Sequence, residues 1–220
     1  MDLAVSWAQL PVGARAAIEQ QWIGIAAGAL ACGAAVVDAE GRVIAAGRNH
    51  AYDPRGEPAT LPRYPLQHCR LAHAELNALA LVATEVDHAA LTLWATQHPC
   101  AMCAAAARFV GLGRVCFIAD DPSDDAPEAV IVASRGGMPY ERSAGPEWAT
   151  ICNLLFLYTS AVLRGADARN LRLGRTRWPR LVDLVLELAR DDELGRRARA
   201  HEALLDALQP HAAAIEQAAL

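Results

Sequence analysis

Along the chain the spacing of apolar positions changes repeatedly, and each change predicts an element. Pro11 stands where a helix can open, because its missing N–H is not needed there, and residues 12–27 continue as that helix. Gly33-Ala-Ala-Val-Val37 and Arg42-Val-Ile-Ala-Ala46 are apolar runs on either side of Asp38-Ala-Glu-Gly41, the pattern of a β-hairpin. Tyr52 to Arg70 holds Pro54, Pro58, Pro62 and Pro65, which excludes a helix or a central strand and predicts a long loop walling a site. Leu71, Leu76, Leu79, Ala80 and Ala83 recur near helical spacing and predict a helix over 71–86. A buried strand over 90–95, a helix over 100–110 ended by Gly111 and Gly113, and a strand over 114–119 follow. The order αββαβαβ implies a sheet covered by helices. Residues 129–133 fit strand or helix equally. Helical patterns then cover 147–163 and 181–208, with a break near Asp191, and a short or frayed helix starts at His211.

The stretch Trp22–Val37 runs for 16 residues without a charge. A membrane span needs about 20 apolar residues, and a signal peptide needs a basic leader, whereas Asp2, Arg15 and Glu19 precede this run. It reads as a helix end running into a buried strand, which predicts a soluble cytoplasmic protein with no membrane partner.

Composition narrows the class. With 220 residues and 54% apolar content, the chain can bury a sizeable core, as one large domain or a catalytic domain with an appendage. The charged fraction of 20% excludes whole-chain disorder. All 20 basic residues are arginine, yet the net charge is −5, which argues against a general nucleic-acid binder. Arg164 to Arg180 carries six arginines against one aspartate, with Trp178 its only aromatic. A phosphate-binding footprint and a solvated or ion-paired segment both fit it; the second is favoured, since no stacking platform interleaves the charges.

Six cysteines are too few and too scattered for a disulfide scaffold. Cys100 and Cys103 form a C-x-x-C at a predicted helix start. His73-Ala74-Glu75 opens the preceding helix, with one strand between, so a β-α-β-α order brings both helix starts to one sheet edge. One histidine and two cysteines form a catalytic zinc set, which leaves the fourth tetrahedral position for water. Glu75 is two residues beyond the histidine, close enough to take a proton from that water. This is machinery for hydrolysing an amidine-like C–NH2 group in a ring.

His-Ala-Glu followed by Pro-Cys-x-x-Cys resembles the zinc-dependent cytidine deaminase superfamily. The branch it looks most similar to holds guanine deaminases, cytosine deaminases and tRNA-adenosine deaminases. The supporting residues are the hairpin leading to Asn49, Thr96-x-x-Pro-Cys-x-Met-Cys103, and Arg114-Val-x-Phe117. The resemblance covers about residues 12–121. It implies a three-layer α/β/α sandwich with a central five-stranded mixed sheet, usually dimeric. It also implies that Asn49 binds the substrate ring and that the backbone at Ala74 lines the pocket. The branch usually has Glu just before Pro-Cys, where this chain has His98.

The expectation is a zinc-dependent deaminase domain over 12–145 with a helical C-terminal extension over 146–220 packed on it. Its substrate would be a base, nucleoside or related amino-heterocycle, and part of the C-terminal tail would wall the pocket. Zn2+ would be held by His73, Cys100 and Cys103, with Glu75 as the proton shuttle. Substrate-binding candidates are Asn49, Ala74, His98, Asp121, Trp22 and Trp148. Asn49 also fits a turn cap, His98 a role beside the metal or in solvent, Asp120 and Asp121 a solvated turn, and the two tryptophans base stacking or core. A tRNA-adenosine deaminase and a non-catalytic zinc-stabilised binding protein are the alternative readings; a homodimer is expected.

Overall fold

The computed structural model describes residues 2–53, 65–123 and 128–219. A short helix, α1 (Leu3–Gln9), comes first, with the Asp2 side chain accepting the Val5 N–H as its cap. The helix opened by Pro11 is α2 (Val12–Ala26). The predicted hairpin is β1 (Gly33–Val37) and β2 (Val43–Arg48), antiparallel. Its turn is tied by Asp38 Oδ1, which accepts the N–H groups of Glu40 and Arg42. β2 runs two residues further than its apolar run, through Arg48, which is buried because its guanidinium pairs with Asp53 at 2.6 Å.

Next come α3 (Ala74–Leu79), β3 (Thr92–Gln97), α4 (Ala101–Phe109), β4 (Arg114–Ala119), α5 (Glu128–Arg135) and β5 (Tyr140–Arg142). α3 is shorter than the helix predicted over 71–86. Beyond Ala80 the β-branched Val82, Thr84 and Val86 are weak helix formers, and the chain turns through Leu81 and Val82 N–H bonds to carbonyls three residues back. The ambiguous stretch around 129–133 is helical.

The sheet order is β2-β1-β3-β4-β5. β1 is antiparallel to β2 and β3, whereas β3, β4 and β5 run parallel. Strand residues alternate between two cores, as a period of two requires. Ala35, Val37, Trp94 and Ile118 face α2 and the long α6 (Pro146–Arg164). Ala34, Val36, Leu93 and Val115 face α3 and α4. The result is a three-layer α/β/α sandwich around a mixed five-stranded sheet. α6 is buried almost all round, since the sheet lies on one side and α8 (Pro179–Arg190) on the other. Between them α7 (Arg169–Arg177) returns the chain. The break near Asp191 lies at Asp192, in the left-handed conformation (φ 48°), before α9 (Glu193–Arg199). Then α10 (Leu204–Leu208) and α11 (Ala212–Ala218) complete the helical C-terminal region. Buried side chains of α2, β1, β4, α6, α8, α9 and α11 form one continuous cluster. Among the described residues no helix is long and apolar enough to cross a membrane.

Two glycines set the helices close to the sheet. A Cβ on Gly33 would lie 2.0 Å from the Ala17 carbonyl of α2, and one on Gly47 would lie 2.8 Å from the Ala74 carbonyl of α3. The second approach fixes the first turn of α3, and so His73 and Glu75, against β2.

Candidate active site

His73 and Cys100 occupy equivalent places. Each is the extended residue immediately before a helix, α3 and α4, on the face of the sheet opposite α2 and α6. Cys103 lies on the first turn of α4, so its sulfur shares a side with that of Cys100. His73 Nδ1 lies 3.7 Å from Cys100 Sγ and 3.5 Å from Cys103 Sγ, and the two sulfurs are 3.7 Å apart. Tetrahedral zinc with bonds of about 2.3 Å to sulfur and 2.0–2.1 Å to nitrogen requires separations of about 3.8 Å between sulfurs and 3.6 Å between nitrogen and sulfur. The triangle therefore fits zinc in both donor type and size. Among the described residues it is the one cluster of three such side chains. His68 and Cys69 do not join it or form another.

The donors perturb one another's titration. The hydrogen bond shared with Cys103 draws the Cys100 thiol down to about 4, against the opposing effect of burial and with further help from His73. Cys103, on the other side of that bond and fully buried, is pushed well above the ordinary thiol range. The contact with Cys100 raises the His73 imidazole. Glu75 is 8% exposed, and burial holds its carboxyl above the ordinary value.

A cavity of about 230 Å3 opens onto this group. His73, Glu75 and Cys100 line it together with Asn49, His98 and Asp121. Asn49 does two things at once: it lines the cavity, and its Oδ1 accepts the Ala51 N–H at 2.9 Å to cap the turn after β2. The His98 N–H donates to the Ala119 carbonyl at 2.7 Å, joining the ends of β3 and β4, and its ring packs edge-on to Phe117 at 4.6 Å. Asp121 Oδ1 accepts both the N–H and the hydroxyl of Ser123, so the acidic turn after β4 is closed on itself beside the cavity.

Other expectations are not met. Trp22 does not line the cavity; it packs on the main core and donates its indole N–H to the Glu202 carbonyl at 3.0 Å. Trp148 is fully buried at the start of α6, where its ring lies 5.2 Å from that of Trp7. Both belong to core packing and not to base stacking, because α1 and the C-terminal helices cover that side of α2. Ala74, whose backbone was expected in the pocket wall, is not among the residues lining the cavity, and it packs as the first residue of α3 in the core between that helix and the sheet. Of the proline loop, Tyr52 lines the cavity, while Pro54, Pro58 and Pro62 lie outside the described residues.

Several wall residues were not singled out from sequence. Cys32 lines the cavity at the foot of β1; burial pushes its thiol well up. Gln97 lines it from the end of β3, and its amide donates to the Cys152 carbonyl at 2.9 Å. Phe156, Arg164, Arg169 and Asn170 enter from α6 and α7.

Residues 12–119 match the family described as the cytidine and deoxycytidylate deaminase zinc-binding region. Among solved structures, a mutant protein in complex with 8-azaguanine is 24% identical over 66% of this chain and 81% of its own, with a TM-score of 0.50. Guanine deaminase from Nitrosomonas europaea is 23% identical over 64% of this chain and 80% of its own, with a TM-score of 0.48. A structure from a study of A-to-I editing at the wobble position of transfer RNA is 24% identical over 57% of this chain and 93% of its own, with a TM-score of 0.44. No curated protein matches the chain. Through residues 12–119, with the metal-sized triangle at its sheet edge, the chain belongs to the zinc-dependent cytidine deaminase superfamily.

Proposed function

We propose that this protein is a hydrolytic deaminase that removes the amino group of a nucleobase, nucleoside or related amino-heterocycle. One observation carries the reading: Glu75 lines the same cavity as His73 and Cys100 of the three-donor triangle. At about 230 Å3 that cavity has the size of a small-metabolite site, below the 300–1,000 Å3 usual for drug-sized ligands. The deaminase domain spans 12–145, and the helical extension over 146–220 contributes part of the wall.

His73, Cys100 and Cys103 would hold Zn2+, which when bound would supply a nucleophilic water at neutral pH by lowering its pKa to about 7. Glu75 accepts a proton from the attacking water and delivers it to the ring nitrogen beside the amino-bearing carbon, so that water adds across that C=N bond. Glu75 then takes the remaining hydroxyl proton and passes it to the amino nitrogen, which leaves as ammonia while the carbonyl forms. Burial favours the first half-step, since a carboxylate whose pKa is held above its ordinary value is a stronger base toward the water proton. Asn49 presents a side-chain amide to the ring edge, and His98 and Asp121 form further parts of the wall. Ammonia release from a panel of free bases and nucleosides tests the reading, with Glu75→Ala as the control. Release from at least one member, lost in the variant, is expected. No release from any member, with zinc bound, would overturn it.

A further inference from the structure

The six arginines of the Arg164–Arg180 stretch do not form one patch. Four have partners away from the cavity: Arg172 donates to the Asp167 carbonyl, Arg175 pairs with Asp183 at 2.8 Å, Arg177 lies over the Trp178 ring, and Arg180 donates to the Gln217 carbonyl at 3.4 Å. The other two, Arg164 and Arg169, line the cavity that contains His73 and Glu75. They close α6 and open α7, so the short turn through Gly165 presents both from one corner.

Their heads are fixed by loops at the same sheet edge. The Arg164 guanidinium stands 4.5 Å from the centroid of the Tyr52 ring, in the segment after β2. Arg169 Nη1 donates to the Ser123 carbonyl at 3.2 Å, in the turn after β4. Both side chains are exposed, whereas Glu75 and Cys103 are buried, so the arginines stand at the rim and the reacting group at the base. Hydrolysis of a C–NH2 bond gives no role to cations at the rim. A ring seated against Glu75 directs its far substituent toward them.

We infer that the substrate carries a phosphate monoester on that substituent and that Arg164 and Arg169 bind it, which makes the substrate class nucleotide-like amino-heterocycles. This rests on the deaminase reading above. Guanidinium groups match phosphate oxygens with two parallel N–H bonds. The carboxylates of Glu75 and Asp121 face the same cavity, so an anionic substrate needs cations there to offset them. A single phosphate requires no more than this pair. A folded RNA would require an extended basic stripe, and the chain carries a net charge of −5 with its neighbouring arginines engaged elsewhere.

The test compares kcat/KM for cytidine with cytidine 5′-monophosphate and for guanosine with guanosine 5′-monophosphate, by ammonia release. The same compounds are titrated into the zinc-loaded protein by calorimetry. At least a tenfold preference for one monophosphate over its nucleoside is expected. Arg164→Ala and Arg169→Ala should each reduce that preference by about ten- to a hundredfold, chiefly through KM. Arg169→Lys should recover part of it, and Arg175→Ala, whose side chain points away, should retain it. Should Arg164→Ala fail to fold, the wild-type preference and the Lys variant still decide. Nucleosides used as well as monophosphates, or a preference surviving both Ala variants, would overturn the inference while deamination stands. Monophosphates that bind and lose affinity in the Ala variants, but release no ammonia, would support the anion site and overturn deamination. Salt-dependent tRNA binding with no mononucleotide preference would also overturn it.

Discussion

The two regions that meet at the cavity are built in different ways. In residues 12–119 the donors are fixed by position along the chain: His73 and Cys100 each end an extended segment and start a helix, and one strand between them sets both at the same edge. In the C-terminal helices, Arg164 and Arg169 owe their place to how α6 lies on the sheet and where α7 turns back. The first arrangement leaves little freedom, since three ligand atoms must agree to within a few tenths of an ångström. The second leaves the rim open to change without disturbing the donors. On the proposed reading this is a division of labour, with reaction chemistry in one region and substrate choice in the other.

Removing a donor should have the largest effect. Cys103→Ala is expected to drop zinc from about one ion per chain toward none and to abolish ammonia release, as read by elemental analysis and assay. Dialysis of the wild type against a chelator should do the same reversibly. Arg169→Ala should keep its zinc; if it lost the metal too, the two regions would not be separable. Glu75→Gln should come next, keeping zinc but lowering kcat by about 10²–10⁴-fold, the usual contribution of a positioned general acid and base. Retained turnover in that variant would remove Glu75 from the reaction.

What the sequence revealed follows the same division. His73, Glu75, Cys100 and Cys103 were legible because short spacing at two helix starts determines which side chains converge. The strands were legible as short apolar runs bounded by turn residues, because burial on both faces leaves continuous apolar sequence. Trp22 and Trp148 were misplaced because an aromatic side chain serves core and ligand equally well. Only the arrival of α1 and the C-terminal helices over α2 decides between them. α1 itself went unread, since seven residues give too little periodicity. The six arginines read as one charge run because nothing in a linear stretch shows that a helix end at Arg164 and a helix start at Arg169 point two of them into the cavity.

The C-terminal region can also be weakened without touching a donor. Leu155 of α6 is fully buried between the sheet and α8. Leu155→Ala should cost about 2–5 kcal/mol of stability, by lost transfer energy and a residual void, measured by urea unfolding. The folded fraction should keep its zinc. Loss of zinc in step with the folded core would show that α6 holds the donors as well as the rim.

The smallest effect concerns the clamp that joins the two regions. Asp53 follows Tyr52, whose ring carries Arg164, and its carboxylate binds His50 Nδ1 at 2.5 Å and Arg48 at 2.6 Å. Burial pushes the Asp53 carboxyl up, but the hydrogen bonds from His50 and Arg48 outweigh it and leave its pKa below the ordinary value. An unfolded aspartate titrates near about 3.9. A group with a lowered folded pKa contributes stability that is fully present above its unfolded pKa and disappears as pH falls through the folded one. The stability gap between wild type and Asp53→Asn should therefore be widest near neutral pH and narrow below about pH 4, measured by denaturant unfolding across pH. Arg48 is buried and loses its charged partner in the variant, so part of the gap should persist in acid. A gap of constant width from pH 7 to pH 3 would mean that the Asp53 charge contributes nothing to the fold. The link from β2 through Tyr52 to Arg164 would then rest on packing alone.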